Sequence, residues 1–131
     1  MVIDSSAIVT ILSDEPERAR FVEAIDADEM RLISAATFVE VSIVIEARYG
    51  PAGTRLLDRF LERAAVEIVP VDDEQAREAR RAFTRFGKGR HPAGLSFGDC
   101  FSYALASALA EPLLYKGDGF PQTDVIAACP K

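Results

Sequence analysis

Three aspartates stand where an α/β fold would aim a carboxylate at a ligand. Asp4 directly follows a short apolar run, Asp118 follows the apolar segment Leu113–Tyr115, and Asp99 opens a helical pattern after a glycine-containing loop. Ligands in open parallel sheets bind beyond the carboxyl ends of the strands. Each residue also has an ordinary explanation: Asp4 and Asp118 as cap or turn residues, and Asp99 as the partner of Ser96 in a capping box.

Glu40 is the most informative acid because its helical neighbours are mainly apolar. The residues three and four positions away are Ala36, Thr37, Ile43 and Val44, so this face should be buried or nearly so. A carboxylate there is costly unless it is paired or bound to a metal. An ion pair with Arg48 or Arg90 is the alternative. We favour a functional role because little else in the helix is polar.

Carboxylates gathered in one place repel one another unless some are protonated or a cation is present. A set of oxygen ligands without His or Cys favours Mg²⁺ or Mn²⁺ over zinc, and such ions serve phosphodiester hydrolysis. Cys100 and Cys129 lack metal-binding spacing and His91 is the single histidine, so we expect reduced packing cysteines. The sequence predicts a metal centre formed by Asp4, Glu40, Asp99 and Asp118, with Asp124 as the alternative fourth acid.

The elements that must position these acids alternate between short strands and helices. We predict strands at Met1–Ile3, Arg31–Ser34, Val66–Val71, Leu113–Tyr115 and Val125–Ala127. We predict five helices. The first begins near Ser13–Pro16, the second spans about Ala35–Tyr49 with a stop at Gly50, and the third spans Leu56–Ala64. The fourth begins at Asp72 or Asp73 with a core face of Ala76, Ala79, Phe83 and Phe86, and the fifth begins near Ser96. This alternation indicates one α/β domain over residues 1–131 with a mainly parallel central sheet flanked by helices.

Taken together, these segments resemble the PIN-domain family, and within it the VapC toxins of bacterial toxin–antitoxin systems. The resemblance is carried by Val2–Ala7, Glu40, Leu95–Cys100, and Leu114–Phe120 with Thr123–Asp124, whose order and spacing cover essentially the whole chain. It implies a three-layer PIN-like fold and a Mg²⁺- or Mn²⁺-dependent endoribonuclease that inhibits translation by cutting RNA. It also implies a homodimer that is held inactive by a cognate VapB-like antitoxin.

The resemblance assigns roles to individual residues. Asp4, Glu40 and Asp99 match the acidic positions of the family. Many relatives carry their last acid where this chain has Gly117, so Asp118 is favoured and Asp124 is the alternative. We expect Asp4 and Asp99 to hold the metal directly, Glu40 and Asp118 to complete its shell partly through water, and Ser6 and Thr37 to orient carboxylates or water.

The RNA and the antitoxin need surfaces of their own. Cationic side chains lead towards Asp99 and are candidates for phosphate contacts, although a solvated helix face would explain any single one: Arg77, Arg81, Arg85, Lys88 and Arg90. Helices near Glu15–Ala27 and Pro51–Ala64 would frame a groove for an antitoxin helix. The net charge of −6 argues against a protein that coats nucleic acid, but not against a metal-dependent nuclease. No apolar run approaches a membrane span, so we expect a cytoplasmic protein.

Two other functions stay open at this point. A phosphotransfer or receiver-like α/β domain also places Asp beyond strand ends, and Lys116 loosely fits the lysine that it would need. Such a domain would also need an acidic pair near the first strand, but here Ser5 follows Asp4. This alternative also leaves Glu40 unexplained. A catalytically inactive PIN-fold binding module would keep the fold, but the intact acidic set argues against it.

Overall fold

Four short parallel strands form the centre of the fold in the order β3-β2-β1-β4. The computed structural model describes residues 1–130, so the last residue of the predicted domain, Lys131, lies outside the described part. The strands are β1 (Val2–Ile3), β2 (Leu32–Ser34), β3 (Glu67–Val69) and β4 (Leu113–Leu114). The helices are α1 (Ser5–Leu12), α2 (Arg18–Ala27), α3 (Ala35–Arg63), α4 (Asp73–Phe86) and α5 (Phe97–Leu109), followed by a 3₁₀ turn at Phe120–Gln122.

The alternation of side chains along the strands divides the interior into two cores. Val2 and Leu113 point into a core closed by α4 and α5, whereas Ile3 and Leu114 point into a second core closed by α1, α2 and α3. Successive side chains on a strand face opposite sides of the sheet. The sheet is therefore a middle layer between two layers of helices, which confirms the predicted three-layer α/β fold with a parallel sheet.

Three predictions about individual elements were wrong in whole or in part. The chain enters α1 directly after Asp4, and the expected helix start at Ser13–Pro16 is the connection between α1 and α2. The segment Val125–Ala127 is not a strand and contributes only an isolated bridge between Leu113 and Ala127. The core face of α4 is formed by Gln75, Ala79, Ala82 and Phe86, while Ala76 and Phe83 are exposed.

The predicted stop at Gly50 is a kink inside α3. Gly50 has φ 64° and ψ −153°, and Pro51 follows it. A positive φ suits glycine, and proline disfavours the helical conformation in the residue before it. The helix resumes after the kink and ends at Arg63, and its Leu57 and Leu61 share a hydrophobic core with Phe21 and Ile25 of α2. In residues 1–130, no helix combines the length and the apolar character that crossing a membrane requires.

Candidate active site

Asp4 lies in the interior where β1 joins α1, with its side chain only 1% exposed. Its Oδ2 accepts hydrogen bonds from the backbone N of Ser6 at 3.0 Å and from the Ser6 hydroxyl at 2.6 Å, so Asp4 is the N-cap of α1. Its Oδ1 accepts a hydrogen bond from the Ser102 hydroxyl at 2.5 Å. The carboxylate is thereby held by both α1 and α5.

Burial raises the pKa of Asp4 because it disfavours the charged form. The hydrogen bonds from Ser102 and Ser6 lower the pKa and offset part of this effect, while the negative charge of Asp99 raises it further. A buried carboxylate with a second acid nearby is an environment that a cation would stabilise.

Glu40 projects from the first half of α3 towards the beginning of α5. Its Oε1 accepts a hydrogen bond from the Ser5 hydroxyl at 2.8 Å. The carboxylate lies so close to Gly98 that a Cβ at that position would overlap Oε2. Burial, followed by the charges of Asp4 and Asp99, raises the pKa of Glu40.

The proposed structural explanation of Glu40, an ion pair with Arg48 or Arg90, is not observed within residues 1–130. Arg48 donates a hydrogen bond to the Ser13 hydroxyl, and the guanidinium of Arg90 lies 5.8 Å from the ring centre of Phe83. Glu40 thus lies in a site where the neighbouring charges are carboxylates.

Asp99 forms the predicted capping box at the start of α5. Its Oδ2 accepts a hydrogen bond from the backbone N of Ser96 at 2.9 Å, and its own backbone N donates to the Ser96 hydroxyl at 3.3 Å. In the described part of the chain, Oδ1 receives no hydrogen bond. The cap fixes the direction of the side chain and leaves one oxygen for another partner.

The two candidates for the fourth acid have described contacts with residues other than these three acids. Asp118 is exposed and lines a separate cavity with Glu17, Arg20 and Tyr115. Asp124 accepts a hydrogen bond from the Tyr103 hydroxyl at 2.6 Å and forms an ion pair with Arg85 at 3.5 Å. Burial and this hydrogen bond raise the pKa of Tyr103 to about 12. Neither Asp118 nor Asp124 is among the charges that shift the pKa of Asp4 or Glu40. The identity of the fourth acid therefore stays a prediction.

The remaining donor atoms suit a hard cation that keeps part of its water shell. Among residues 1–130, no three His, Cys, Asp or Glu side chains are arranged to hold a metal ion on their own. Each of the three carboxylates nevertheless keeps lone pairs that no described hydrogen bond uses, among them those on Asp4 Oδ1, Glu40 Oε2 and Asp99 Oδ1. Mg²⁺ commonly binds one or two carboxylates and several waters, so this donor set fits it.

The supporting residues include predicted and unpredicted ones. Ser6 donates to Asp4, as the sequence suggested, and the Thr37 hydroxyl lies 3.2 Å from that of Ser102. The contacts of Ser5 with Glu40, and of Ser102 with Asp4, were not predicted. Ser102 lies three residues after Asp99, on the same face of α5, and this spacing is a signal that could have identified it.

The cationic residues predicted to contact phosphate, here called the basic stripe, extend from Arg77 to Arg90. Three of the five are paired with carboxylates. Arg77 pairs with Asp73 at 3.1 Å, Arg81 pairs with Glu78, and Arg85 pairs with Asp124. Lys88 and Arg90, in the loop after α4, form no ion pair with any described residue. The arginines of α4 are therefore less available to a phosphate than their spacing suggested.

A model of the PIN domain family matches residues 1–126. The chain belongs to the PIN-domain family. It is 54% identical over 125 residues to a VapC ribonuclease of Mycobacterium bovis, with 95% of each chain covered. The resemblance that the motifs indicated is thus confirmed at the level of the family, and the receiver-like alternative receives no support.

Solved structures of low sequence identity share the fold. The toxin VapC20 of Mycobacterium tuberculosis, described as a sarcin-ricin loop cleaving toxin, matches with a TM-score of 0.78 at 13% identity, covering 98% of both chains. A toxin–antitoxin complex from Klebsiella pneumoniae matches with a TM-score of 0.69 at 16% identity, covering 96% of this chain and 94% of that one.

Proposed function

We propose that this chain is a metal-dependent endoribonuclease toxin of the VapC type, formed as a single domain over residues 1–131. The observation that carries the proposal is the meeting of three acids at one place: buried Asp4 is the N-cap of α1, Glu40 reaches Gly98 in the first turn of α5, and Asp99 caps α5. The charge of Asp99 raises the pKa of Asp4, and the charges of Asp4 and Asp99 raise that of Glu40. A fold that keeps three such carboxylates together retains them at a cost that a bound cation removes.

Asp4 and Asp99 would hold the metal, Mg²⁺ or Mn²⁺, directly, and Glu40 with Asp118, or alternatively Asp124, would complete its shell partly through water. A bound ion of this kind activates water for attack on a phosphodiester and stabilises the developing negative charge. The residues of the chain orient the carboxylates: Ser6 and Ser102 fix Asp4, Ser5 fixes Glu40, and Ser96 fixes Asp99.

The RNA backbone contacts the cationic residues that the fold leaves unpaired. Lys88 and Arg90 are the best candidates because they lie in the loop that leads to α5 and carry no carboxylate partner among the described residues. Arg77, Arg81 and Arg85 would have to exchange their present partners for phosphate. Their contribution to RNA affinity is accordingly smaller.

A cognate VapB-like antitoxin binds the groove between α2 and the second half of α3. Apolar residues line it, including Val22, Ile25, Leu56 and Phe60, together with four arginines: Arg18, Arg31, Arg59 and Arg63. This combination suits an amphipathic helix with acidic residues on its polar side. A toxin–antitoxin complex from Klebsiella pneumoniae shares this fold, which supports an antitoxin as the kind of partner.

The chain forms a homodimer through apolar residues beside the acidic site. Val39 and Ile43 on α3 are more than half exposed, and Phe97 at the start of α5 is 79% exposed. Large apolar side chains that cluster on a surface are typical of an interaction site. We place the protein in the cytoplasm, where its RNA substrate would be found.

Cleavage of RNA in the presence of Mg²⁺ or Mn²⁺ tests this function. The wild type is compared with Asp4→Asn and Asp99→Asn, which keep the size of each side chain. We expect both variants to lose cleavage while they keep their folded structure by circular dichroism. Equal cleavage by all three proteins would exclude the acidic cluster as the active site. An inactive wild type that binds RNA would favour the inactive binding module instead.

A further inference from the structure

A chain of buried polar groups connects three elements of the fold behind Asp4. The Thr37 hydroxyl on α3 lies 3.2 Å from the Ser102 hydroxyl on α5, and the Ser102 hydroxyl donates to Asp4 Oδ1 at 2.5 Å. Ser102 is completely buried and Thr37 nearly so. These groups have no access to water, so their hydrogen bonds to one another are the ones that satisfy them.

The charge of Asp4 fixes the direction of the hydrogen bonds that join Thr37, Ser102 and Asp4. An ionised carboxylate only accepts hydrogen bonds, whereas a hydroxyl has one proton to donate. Ser102 therefore gives its proton to Asp4 and must accept one from Thr37. The order Thr37 to Ser102 to Asp4 follows from the chemistry, although the distance between the hydroxyls alone permits either direction.

The hydrogen bonds also decide which part of Asp4 is available to a metal. Oδ2 accepts two hydrogen bonds, both from Ser6, and these use its two lone pairs. Oδ1 accepts one from Ser102, which leaves one lone pair. Asp4 can thus offer a cation a single bond through Oδ1, in a direction that Ser102 sets.

We propose that Ser102 is a positioning residue that, supported by Thr37, holds Asp4 so that one lone pair of Oδ1 faces the metal. This inference rests on the proposed function of the acidic site. Ser102 touches neither the metal nor the RNA and acts through Asp4. Because it lies three residues after Asp99 on α5, it also ties the positions of two acids to one helix.

The test uses the full chain and four variants. Ser102→Ala removes the hydroxyl that contacts Asp4. Thr37→Val removes the outer hydroxyl and keeps the shape of the side chain, whereas Thr37→Ser keeps the hydroxyl. Ser42→Ala is the matched control, because the Ser42 hydroxyl donates to the Phe38 carbonyl within α3 at 2.6 Å and not to the site.

Mn²⁺ affinity in the absence of RNA is the main measurement, by electron paramagnetic resonance, with RNA cleavage and unfolding as companions. Loss of a group that orients a metal ligand typically costs 10- to 100-fold in metal affinity or activity, so we expect Ser102→Ala to bind Mn²⁺ about tenfold more weakly or worse. Its kcat should fall with little change in KM. Thr37→Val should show a smaller loss of both, while Thr37→Ser and Ser42→Ala should match the wild type.

Two results would overturn the proposal. The first is an unchanged Mn²⁺ affinity in a folded Ser102→Ala variant; if that variant does not fold, unchanged affinity in Thr37→Val overturns it equally. The second is a loss in Ser42→Ala as large as that in Ser102→Ala, since a general effect of removing a hydroxyl would then explain both. Failure of the proposed function is seen separately, as full cleavage by Asp99→Asn.

Discussion

Gly98 is the residue at which a minimal change should separate activity from stability. It lies in the first turn of α5, and a Cβ built on it would overlap Glu40 Oε2 and lie 2.5 Å from Cδ. Carbon atoms in contact prefer a separation of about 3.5 Å, so an alanine at this position must push the Glu40 carboxylate back by roughly 1 Å or more.

The expected magnitude of the Gly98→Ala effect follows from this displacement. A misplacement of about 1 Å at a catalytic site can cost on the order of 100-fold in rate, so we expect a loss of that size in RNA cleavage. The fold should not suffer, because Glu40 is the far end of a flexible side chain and alanine is favoured over glycine in a helix by up to about 1 kcal/mol. Cleavage of a fluorogenic RNA and urea denaturation measure the two effects.

A double-mutant cycle identifies the cause. If Gly98→Ala acts by displacing Glu40, it should cause no further loss of cleavage in a Glu40→Ala background, because the displaced group is already gone. Wild-type cleavage by a folded Gly98→Ala variant would refute the reasoning. Losses that multiply in the double variant would also refute it, because Gly98 would then act independently of Glu40.

Three further predictions concern charge, the fourth acid and the core. Because the pKa of Glu40 is raised, its charged form destabilises the metal-free fold, and Glu40→Gln should have a larger free energy of unfolding than the wild type at pH 7. The difference should shrink as the pH falls towards 4.5. A difference that does not depend on pH in urea denaturation would contradict the raised pKa. Tyr103→Phe removes a hydrogen bond to Asp124 and should cost about 1 to 2 kcal/mol of stability. The Mn²⁺ affinity should stay the same. A changed Mn²⁺ affinity would instead place Asp124 in the metal centre. Leu105→Ala should cost about 2 to 5 kcal/mol of stability because the side chain is fully buried. Leu109→Ala, at a half-exposed position, should cost about 0.5 kcal/mol or less. Similar losses of stability for the two variants in thermal unfolding would argue against the described core.

The three central acids could be predicted because each carries a local signal. Asp4 follows a strand, Asp99 belongs to a capping box, and Glu40 has apolar neighbours at helical spacing. The fourth acid could not be decided in this way. Asp118 and Asp124 both follow β4 without an intervening α-helix. A loop has no periodicity that would show where its side chains point.

The contacts that orient the acids were harder to predict because they join distant parts of the chain. Ser102 and Asp4 are 98 positions apart, and Ser5 and Glu40 are 35 apart. The basic stripe shows the converse error. Its spacing on α4 was read correctly, but pairing with Asp73, Glu78 and Asp124 depends on side-chain conformations and on the path of the C-terminal segment.

The fold was predictable where hydrophobic patterns are long and ambiguous where they are short. Alternating strands and helices predicted the parallel sheet, and the cap at Asp72 placed α4 correctly. The first helix was missed because α1 is short and follows β1 after a single residue, Asp4, while a stronger start signal lies later, at Ser13–Pro16. On α4, Gln75 and Ala82 replaced Ala76 and Phe83 in the core, because a small rotation of the helix changes which face the partner covers.

Mn²⁺ binding by the wild type and by Asp99→Asn, measured without RNA, tests the central claim most directly. Asparagine keeps a side-chain oxygen that can accept the hydrogen bond from Ser96, so the start of α5 should stay capped. We predict that the wild type binds Mn²⁺ and that Asp99→Asn binds it at least tenfold more weakly, while the metal-free variant is at least as stable as the wild type because one repelling charge is gone. Equal Mn²⁺ affinity in the two proteins would contradict the assignment of Asp99, together with Asp4 and Glu40, to a metal-dependent active site.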